Sequence, residues 1–112
     1  MRIVIAEDDP LLREGLALLL RAEGLDVVAT ADTADGALDA VDTHEPDVAI
    51  LDVRMPPTHT DEGVRAAVEA RRRRPGLAVL SIFAKLDLAP TDQVDRRVAA
   101  VLRYLEDARR TR

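Results

Sequence analysis

The 112-residue chain contains no cysteine and no tryptophan, and aromatic residues make up only 2% of it. Without cysteine, disulfide frameworks, thiolate metal sites and cysteine nucleophiles are excluded, which fits a reducing compartment such as the cytoplasm. No apolar run approaches the roughly 20 residues of a membrane span, and we expect no signal peptide because a strand-like run follows Met1 directly. The composition therefore predicts one small cytoplasmic domain with an aliphatic core.

Positive charge is also scarce, since 16 Lys and Arg residues stand against 21 Asp and Glu residues and leave a net charge of −5. Proteins that bind nucleic acid need cations to displace counterions from phosphates, so we do not expect this chain to bind DNA. The one basic cluster is Arg71 to Arg74, directly before Pro75 and Gly76. We interpret it as the C-terminal end of a helix, where cations complement the helix dipole.

The first 80 residues alternate short apolar runs with amphipathic stretches. The apolar runs, which are typical of buried strands, lie at residues 3–6, 25–29, 48–51 and 77–80. Helical periodicity fills the gaps between them. This alternation predicts an α/β fold in which helices cover both faces of a parallel sheet, that is, a doubly wound sheet.

Three helices are predicted between these strands, each with a recognisable start. We expect Asp9 to cap the first helix, Thr33 the second and Thr60 the third, and we expect Gly24 to end the first helix. The residues expected on the buried stripes are Leu11, Leu12, Leu16, Leu19 and Leu20 in the first helix, Ala34, Leu38 and Val41 in the second, and Val64, Ala67 and Val68 in the third.

Carboxylates stand at the ends of two predicted strands. Glu7, Asp8 and Asp9 follow the first strand, and Asp52 follows the third. Ligands of open parallel sheets bind outside the carboxyl ends of the strands. Because neighbouring parallel strands lie about 4.8 Å apart, we expect Glu7, Asp8 and Asp52 to converge if their two strands are adjacent.

Three carboxylates at such short range repel one another, and a divalent cation removes the conflict. All-oxygen ligands favour Mg²⁺, which commonly binds a phosphate oxygen together with one or two carboxylates. The pattern therefore predicts a metal-assisted phosphate site with one carboxylate available as a nucleophile. It leaves a second interpretation open, in which these residues are solvated turn carboxylates. For Asp9 alone, the helix cap is the better interpretation.

Several segments of the chain resemble receiver domains of two-component response regulators of the NarL/LuxR type. Residues 3–16 resemble the opening of these domains, and residues 46–57, followed by residues 60–63, resemble their phosphoacceptor strand and loop. The resemblance covers residues 1–80 and implies a flavodoxin-like doubly wound parallel sheet. Here that sheet is expected to be truncated to four strands, with the fourth helix and the fifth strand missing. We do not expect a conventional enzyme, because His44 and His59 show no partner spacing for catalysis and are interpreted as solvated residues.

The same resemblance implies that a sensor histidine kinase transfers a phosphoryl group to an aspartate of this chain. By position, that phosphoacceptor is Asp52, Asp8 is a direct Mg²⁺ ligand and Glu7 is a ligand through water. The backbone carbonyl of Arg54 completes the protein ligands of the metal. Ser81, at the end of the fourth predicted strand, is the candidate for the switch Ser/Thr of the family.

Beyond the fourth predicted strand the receiver pattern stops, and the switch helix, the fifth strand and the phosphoryl-binding lysine of the family are missing. The single lysine, Lys85, is interpreted as a solvated loop residue. Residues 81–90 and 96–105 instead resemble the end of a LuxR-type helix-turn-helix domain. We therefore predict a truncated receiver domain at residues 1–80. Residues 81–112 are predicted to be a helix-turn-helix remnant, a loop and a long terminal helix packed on the same domain.

Two function classes follow from these features. The chain is either a phosphoacceptor that works at Asp52 with Mg²⁺, or a phosphorylation-impaired interaction module that pairs with full-length regulators. The carboxylates of Glu7, Asp8 and Asp52 favour the first class, whereas the missing lysine and the short strand before Ser81 favour the second. Because loss of a fifth strand leaves the fourth at the edge of the sheet, we also expect a homodimer or pairing with another response regulator.

Overall fold

The computed structural model describes residues 1–53, 55–56, 60–82 and 103 of the chain. Along this part the elements are β1 (Arg2–Ala6), α1 (Pro10–Ala22), β2 (Asp26–Ala31), α2 (Ala34–His44), β3 (Val48–Asp52), α3 (Glu62–Arg73) and β4 (Ala78–Ile82). Arg103 is helical, and the rest of the predicted C-terminal helix lies outside the described residues. None of the helices in the described part has the length and hydropathy that crossing a membrane requires.

The four strands form one parallel sheet in the order β2-β1-β3-β4. β1 and β3 are its central strands, and both are buried apart from Arg2. They pair directly, with Ile5 opposite Ile50 and Ala6 opposite Leu51. The predicted doubly wound α/β sheet is thereby confirmed, and β4 is an edge strand of the sheet that the described residues form.

Alternate residues of the central strands point to opposite faces of the sheet. The core on the first face contains Ile3, Ile5, Val48 and Ile50 from the strands together with Leu16, Ala17 and Leu20 from α1. The core on the second face contains Ala6, Ala49 and Leu51 from the strands, Ala37 and Val41 from α2, and Ala66 and Ala70 from α3. Helices therefore cover both faces, and alanine fills much of the second one.

The α3 helix is rotated relative to its predicted orientation. Val64 and Val68 were expected to face inward, but they are 44% and 67% exposed. The residues of α3 that are buried are Gly63, Ala66 and Ala70. The prediction was wrong because it assigned the most hydrophobic side chains, the valines, to the buried face. The helix lies so close to the sheet that only the smallest side chains fit between them.

The buried stripe of α1 differs from the prediction at two residues, Leu11 and Leu19, of which Leu19 is half-buried. Leu12, Leu16 and Leu20 are buried as expected, but Leu11 is 60% exposed. Each helical residue is rotated by about 100° from the one before it. This rotation carries Leu11 away from the face on which the other three leucines lie.

Two of the three predicted helix caps are confirmed. The Asp9 carboxylate accepts hydrogen bonds from the N–H groups of Leu11 at 2.9 Å and Leu12 at 3.3 Å. The Thr33 hydroxyl accepts one from the N–H of Gly36 at 3.0 Å. Both caps satisfy backbone donors that the first turn of a helix leaves without a partner.

The cap predicted for the third helix was wrong. α3 begins at Glu62, and Asp61 rather than Thr60 occupies the N-cap position, without a side-chain cap hydrogen bond. The Asp61 carboxylate instead accepts a bond from Arg65, one turn further on, at 3.2 Å. Thr60 lies before the helix, where its N–H donates to the Glu62 carboxylate and its hydroxyl donates to the Asp61 carboxylate.

The basic cluster forms the C-terminal end of α3, as predicted. Arg72 and Arg73 both bind the Glu69 carboxylate, at 2.7 and 3.0 Å, and Arg73 also binds Asp42 of α2 at 2.7 Å. Hydrogen bonds from Arg72 and Arg73 lower the pKa of Glu69 to about 2. The cluster thus ties α3 to α2, which accounts for two of its arginines without a nucleic-acid ligand.

The end of α1 provides a test of backbone conformation. Gly24 has a φ of +85°, a left-handed conformation that strains any residue with a side chain. We expect Gly24→Ala to lower the free energy of unfolding by about 1 kcal/mol in urea titrations. Gly76→Ala is the matched control, because a Cβ at either glycine meets no atom within 4 Å and only Gly24 has a positive φ. Equal urea midpoints for the two variants would contradict this expectation.

The ion pairs at Glu69 give a second, pH-dependent test. The pKa of Glu69 is lowered from 4.5 to about 2. The contribution of the ionised Glu69 carboxylate to the stability of the folded state is therefore fully present above pH 4.5 and is lost as the pH falls towards 2. These pairs are exposed, so Glu69→Gln should lower the urea midpoint only slightly at neutral pH. The difference in urea midpoint between Glu69→Gln and the wild type should become smaller below pH 4.5. A difference that stayed constant down to pH 2 would show that the charge of the Glu69 carboxylate is not its cause.

Candidate functional site

The acidic residues that the sequence singled out lie at the carboxyl edge of the sheet. Glu7 and Asp8 directly follow β1, and Asp52 is the last residue of β3. Because β1 and β3 are hydrogen-bonded neighbours, the two strand ends bring their carboxylates to the same place. The adjacency on which the predicted cluster depended is thereby confirmed.

The three carboxylates form a compact cluster. One carboxylate oxygen from each of Glu7, Asp8 and Asp52 lies within 4.8 Å of the other two. Glu7 and Asp52 are each 1% exposed, whereas Asp8 is half-buried, so Asp8 forms the side of the cluster that solvent reaches most easily. Like charges at this range repel, and burial removes the water that would screen them. The geometry therefore favours a compensating positive charge.

The donor atoms of the cluster are compatible with Mg²⁺. Glu7, Asp8 and Asp52 offer only carboxylate oxygens, which are the ligands that Mg²⁺ prefers. A divalent cation between them would relieve the repulsion of two buried carboxylates. The backbone carbonyl of Arg54, predicted as a further ligand, lies outside the described residues.

Backbone contacts on one side hold the segment that carries Glu7 and Asp8. The N–H of Glu7 donates to the carbonyl of Ala31 in β2 at 2.9 Å, and the N–H of Asp9 donates to Glu7 Oε2 at 3.3 Å. Arg13 Nη1 of α1 donates to the Glu7 carbonyl at 3.0 Å. Glu7 is therefore held from both β2 and α1.

Gly63 of α3 holds the other side of the site. Its N–H donates to the Val53 carbonyl at 2.9 Å, and a Cβ at this position would lie only 1.8 Å from the Asp52 carbonyl oxygen. The glycine thus allows the first turn of α3 to lie directly against the backbone of Asp52. Residue-by-residue reasoning from the sequence did not assign Gly63 a role. The available signal was a poor helix former placed at the start of a helix.

Ser81 is the remaining predicted site residue, whereas Lys85, His44 and His59 were predicted to be solvated and not to belong to the site. Ser81 is exposed and lies in β4 opposite Leu51, while Asp52 pairs with the next residue, Ile82. Lys85 and His59 lie outside the described residues. His44 is half-buried at the end of α2, where its carbonyl accepts a bond from Arg2 at 2.6 Å. None of these observations assigns His44 a part in the acidic site.

Together, the fold and the cluster define an open, parallel α/β domain with acidic residues at the carboxyl edge of its sheet, where ligands of such sheets bind. The family model described as "Response regulator receiver domain" matches residues 3–97. The chain therefore belongs to the response regulator receiver domain family, in agreement with the resemblance seen in the sequence.

Two proteins of Mycobacterium tuberculosis (strain H37Rv) illustrate the relationship. The chain is 39% identical over 106 residues to transcriptional regulatory protein PdtaR, a match that covers 93% of this chain and 48% of that protein. It is 37% identical over 112 residues to the probable transcriptional regulatory protein NarL, which covers 99% of this chain and 50% of that protein. The chain thus spans about half the length of these curated relatives.

Solved structures agree with this assignment. The signal receiver domain of NarL from Mycobacterium tuberculosis superposes with a TM-score of 0.71 at 32% identity, covering 94% of this chain and 95% of that chain. A LuxR-family two-component response regulator from Aurantimonas gives a TM-score of 0.65 at 26% identity, covering 85% of this chain and 66% of that chain. The expected flavodoxin-like receiver fold is thereby confirmed.

The comparisons extend further along the chain than the sequence resemblance did. The family match continues to residue 97, although the receiver pattern was expected to stop at residue 80, and the NarL match covers 99% of the chain. These matches provide no evidence of an internal truncation or of a joined helix-turn-helix segment. Residues 83–102 and 104–112 lie outside the described residues.

The contact between Gly63 and the backbone of Asp52 can be tested directly. We expect Gly63→Ala to lower the free energy of unfolding by about 1–3 kcal/mol, the usual cost of forcing extra volume into a packed site. It should also shift the amide resonances of Asp52 and Val53 in NMR spectra. Gly76→Ala, where an added Cβ meets no atom within 4 Å, is the control. Unchanged stability and unchanged resonances in Gly63→Ala would refute the close contact.

Proposed function

We propose that this receiver domain accepts a phosphoryl group on Asp52 in a Mg²⁺-dependent step of a two-component phosphorelay. The observation that carries the proposal is the convergence of Glu7, Asp8 and Asp52 within 4.8 Å at the carboxyl edge of the sheet. Membership of the response regulator receiver family supports it. The role of each residue is carried over from the sequence resemblance and is part of the proposal.

Asp52 is the proposed nucleophile. It ends β3, it is 1% exposed, and its backbone lies against Gly63 of α3. One Asp52 carboxylate oxygen attacks the phosphorus of a phosphohistidine. The bond between phosphorus and the histidine nitrogen breaks, the released imidazole nitrogen takes up a proton, and Asp52 becomes an acyl phosphate.

The residues around Asp52 fit a metal-assisted transfer. Asp8 and Asp52 would hold the metal directly, Glu7 would hold it through a water, and the Arg54 carbonyl would complete the set. Bound Mg²⁺ would supply positive charge against the oxygens of the phosphoryl group. The half-buried position of Asp8, beside two fully buried carboxylates, supports entry of the metal and the phosphodonor from that side.

The phosphodonor in this proposal is a sensor histidine kinase, the partner that membership of the receiver family implies. We place the transfer in the cytoplasm, which the absence of cysteine fits. β4 is an edge strand of the sheet formed by the described residues, and this supports pairing with a second copy or with another response regulator. DNA binding is not part of the proposal, because the net charge is −5.

Two residues of the family's response to phosphorylation, the switch Ser/Thr and the phosphoryl-binding lysine, bear differently on the two candidate functions. Ser81 is the proposed switch residue, and its place in β4 beside the end of β3 supports that assignment. The chain has a single lysine, Lys85, which the sequence pattern places too early for the phosphoryl-binding lysine. That feature favours a phosphorylation-impaired interaction module that pairs with full-length regulators.

The origin of residues 81–112 is a separate proposal that rests on the sequence resemblance alone. We propose that residues 1–80 form a truncated receiver domain and that residues 81–112 derive from the end of a helix-turn-helix domain. The family match to residue 97 does not support this division. NMR secondary chemical shifts test it, since a loop followed by one long helix supports the proposal and a fifth strand contradicts it.

Acetyl phosphate is a small phosphodonor with which Asp52 can be tested in the full chain. After incubation with Mg²⁺, we expect the intact mass to show one phosphate-sized adduct. The adduct should not form in Asp52→Asn, nor in wild-type protein when EDTA is added before the phosphodonor. Asp39→Asn, which removes an exposed carboxylate of α2, should leave the adduct unchanged.

The outcomes separate the two candidate functions. An adduct that persists in Asp52→Asn would overturn the assignment of the phosphoacceptor. No adduct in folded wild-type protein would overturn the phosphoacceptor function and leave the interaction module, for which Asp52→Asn should pair with a full-length regulator as well as the wild type does.

A further inference from the structure

Arg13 contacts both ends of the acidic segment that follows β1. Its guanidinium Nη1 donates to the Glu7 carbonyl at 3.0 Å, and its backbone N–H donates to the Asp9 carbonyl at 2.9 Å. The first of these contacts is partly buried, and the second belongs to the start of α1. A single residue of α1 therefore fixes the two residues between which Asp8 lies.

The place of Arg13 within α1 is unfavourable for a cation. α1 begins at Pro10 and has no acidic residue in its first turn, so Arg13 lies near the end of the helix where the dipole disfavours positive charge. The neighbouring carboxylates of Glu7, Asp8 and Asp9 offset that effect. The identity of residue 13 is thus better explained by the acidic segment than by the requirements of the helix.

We propose that Arg13 is a positioning residue of the acidic site: by binding the Glu7 carbonyl, it holds the Glu7–Asp8 segment in the geometry that brings both carboxylates to Asp52. The consequence for divalent cation affinity rests on the proposed function. The effect on the segment itself does not, because Arg13 binds the backbone carbonyl of Glu7. Arg13 touches the backbone of Glu7 and is not assigned any contact with the phosphoryl group.

Two effects of removing Arg13 have opposite signs, so the direction of the change is informative. Loss of a nearby positive charge makes binding of a cation tighter. Loss of the bond to Glu7 loosens the segment and makes binding weaker, as happens when residues that orient metal ligands are removed. A positioning role therefore predicts weaker metal binding in a variant that has lost a repulsive charge.

The test measures Mn²⁺ binding to the full chain through the electron paramagnetic resonance signal of free Mn²⁺. We expect Arg13→Met to weaken Mn²⁺ affinity about tenfold and Arg13→Lys, which keeps the charge and a donor, to recover part of the loss. Arg21→Met is the matched control. Arg21 lies on the same helix and also donates from its guanidinium to a backbone carbonyl, that of Val27 at 3.2 Å, but far along α1 from the site.

A second measurement uses metal-free protein and keeps the proposal independent of metal binding. Amide hydrogen exchange at Asp8 and Asp9 should be faster in Arg13→Met than in the wild type and unchanged in Arg21→Met. Unchanged or tighter Mn²⁺ binding in Arg13→Met, unchanged exchange at Asp8 and Asp9, or an equal effect of Arg21→Met would each overturn the positioning role. If the wild type binds no Mn²⁺, the proposed metal site fails, and hydrogen exchange alone decides the role of Arg13.

Discussion

Repulsion among three carboxylates is the constraint on which the rest of this structure depends. Glu7, Asp8 and Asp52 come within 4.8 Å of one another although Glu7 and Asp52 are buried. Burial of charge is unfavourable unless it is compensated, so the fold must hold the cluster against its own repulsion. The two central strands, β1 and β3, hold the cluster together, because the direct hydrogen bonds between them fix the positions of both strand ends.

Helices on opposite faces of the sheet each secure one of these strand ends. α1 contributes Arg13, whose side chain binds the Glu7 carbonyl, and α3 contributes Gly63, whose N–H binds the Val53 carbonyl. Both contacts are made to the backbone, so neither of them uses a carboxylate oxygen. The two helices therefore position the site through its backbone.

The elements of the fold were largely predictable because their signals are local. Apolar runs marked the strands, and Asp9 and Thr33 were recognised as caps since a short polar side chain can reach the free N–H groups of the first turn. The errors lie mainly at α3, where Val64 and Val68 face outward and Thr60 is not the cap. Hydropathy does not report how close a helix lies to a sheet, and that distance decided which α3 residues are buried.

By itself, the sequence determined which residues of the site carry charge and that Glu7, Asp8 and Asp52 stand at the ends of strands, since both are properties of short segments. Only the tertiary structure decided that β1 and β3 are neighbours and that α1 and α3 bring Arg13 and Gly63 to the site. The physical reason is that periodicity encodes which face of an element is buried. Strand order and the approach of a helix to a sheet depend instead on packing between residues that are far apart along the chain.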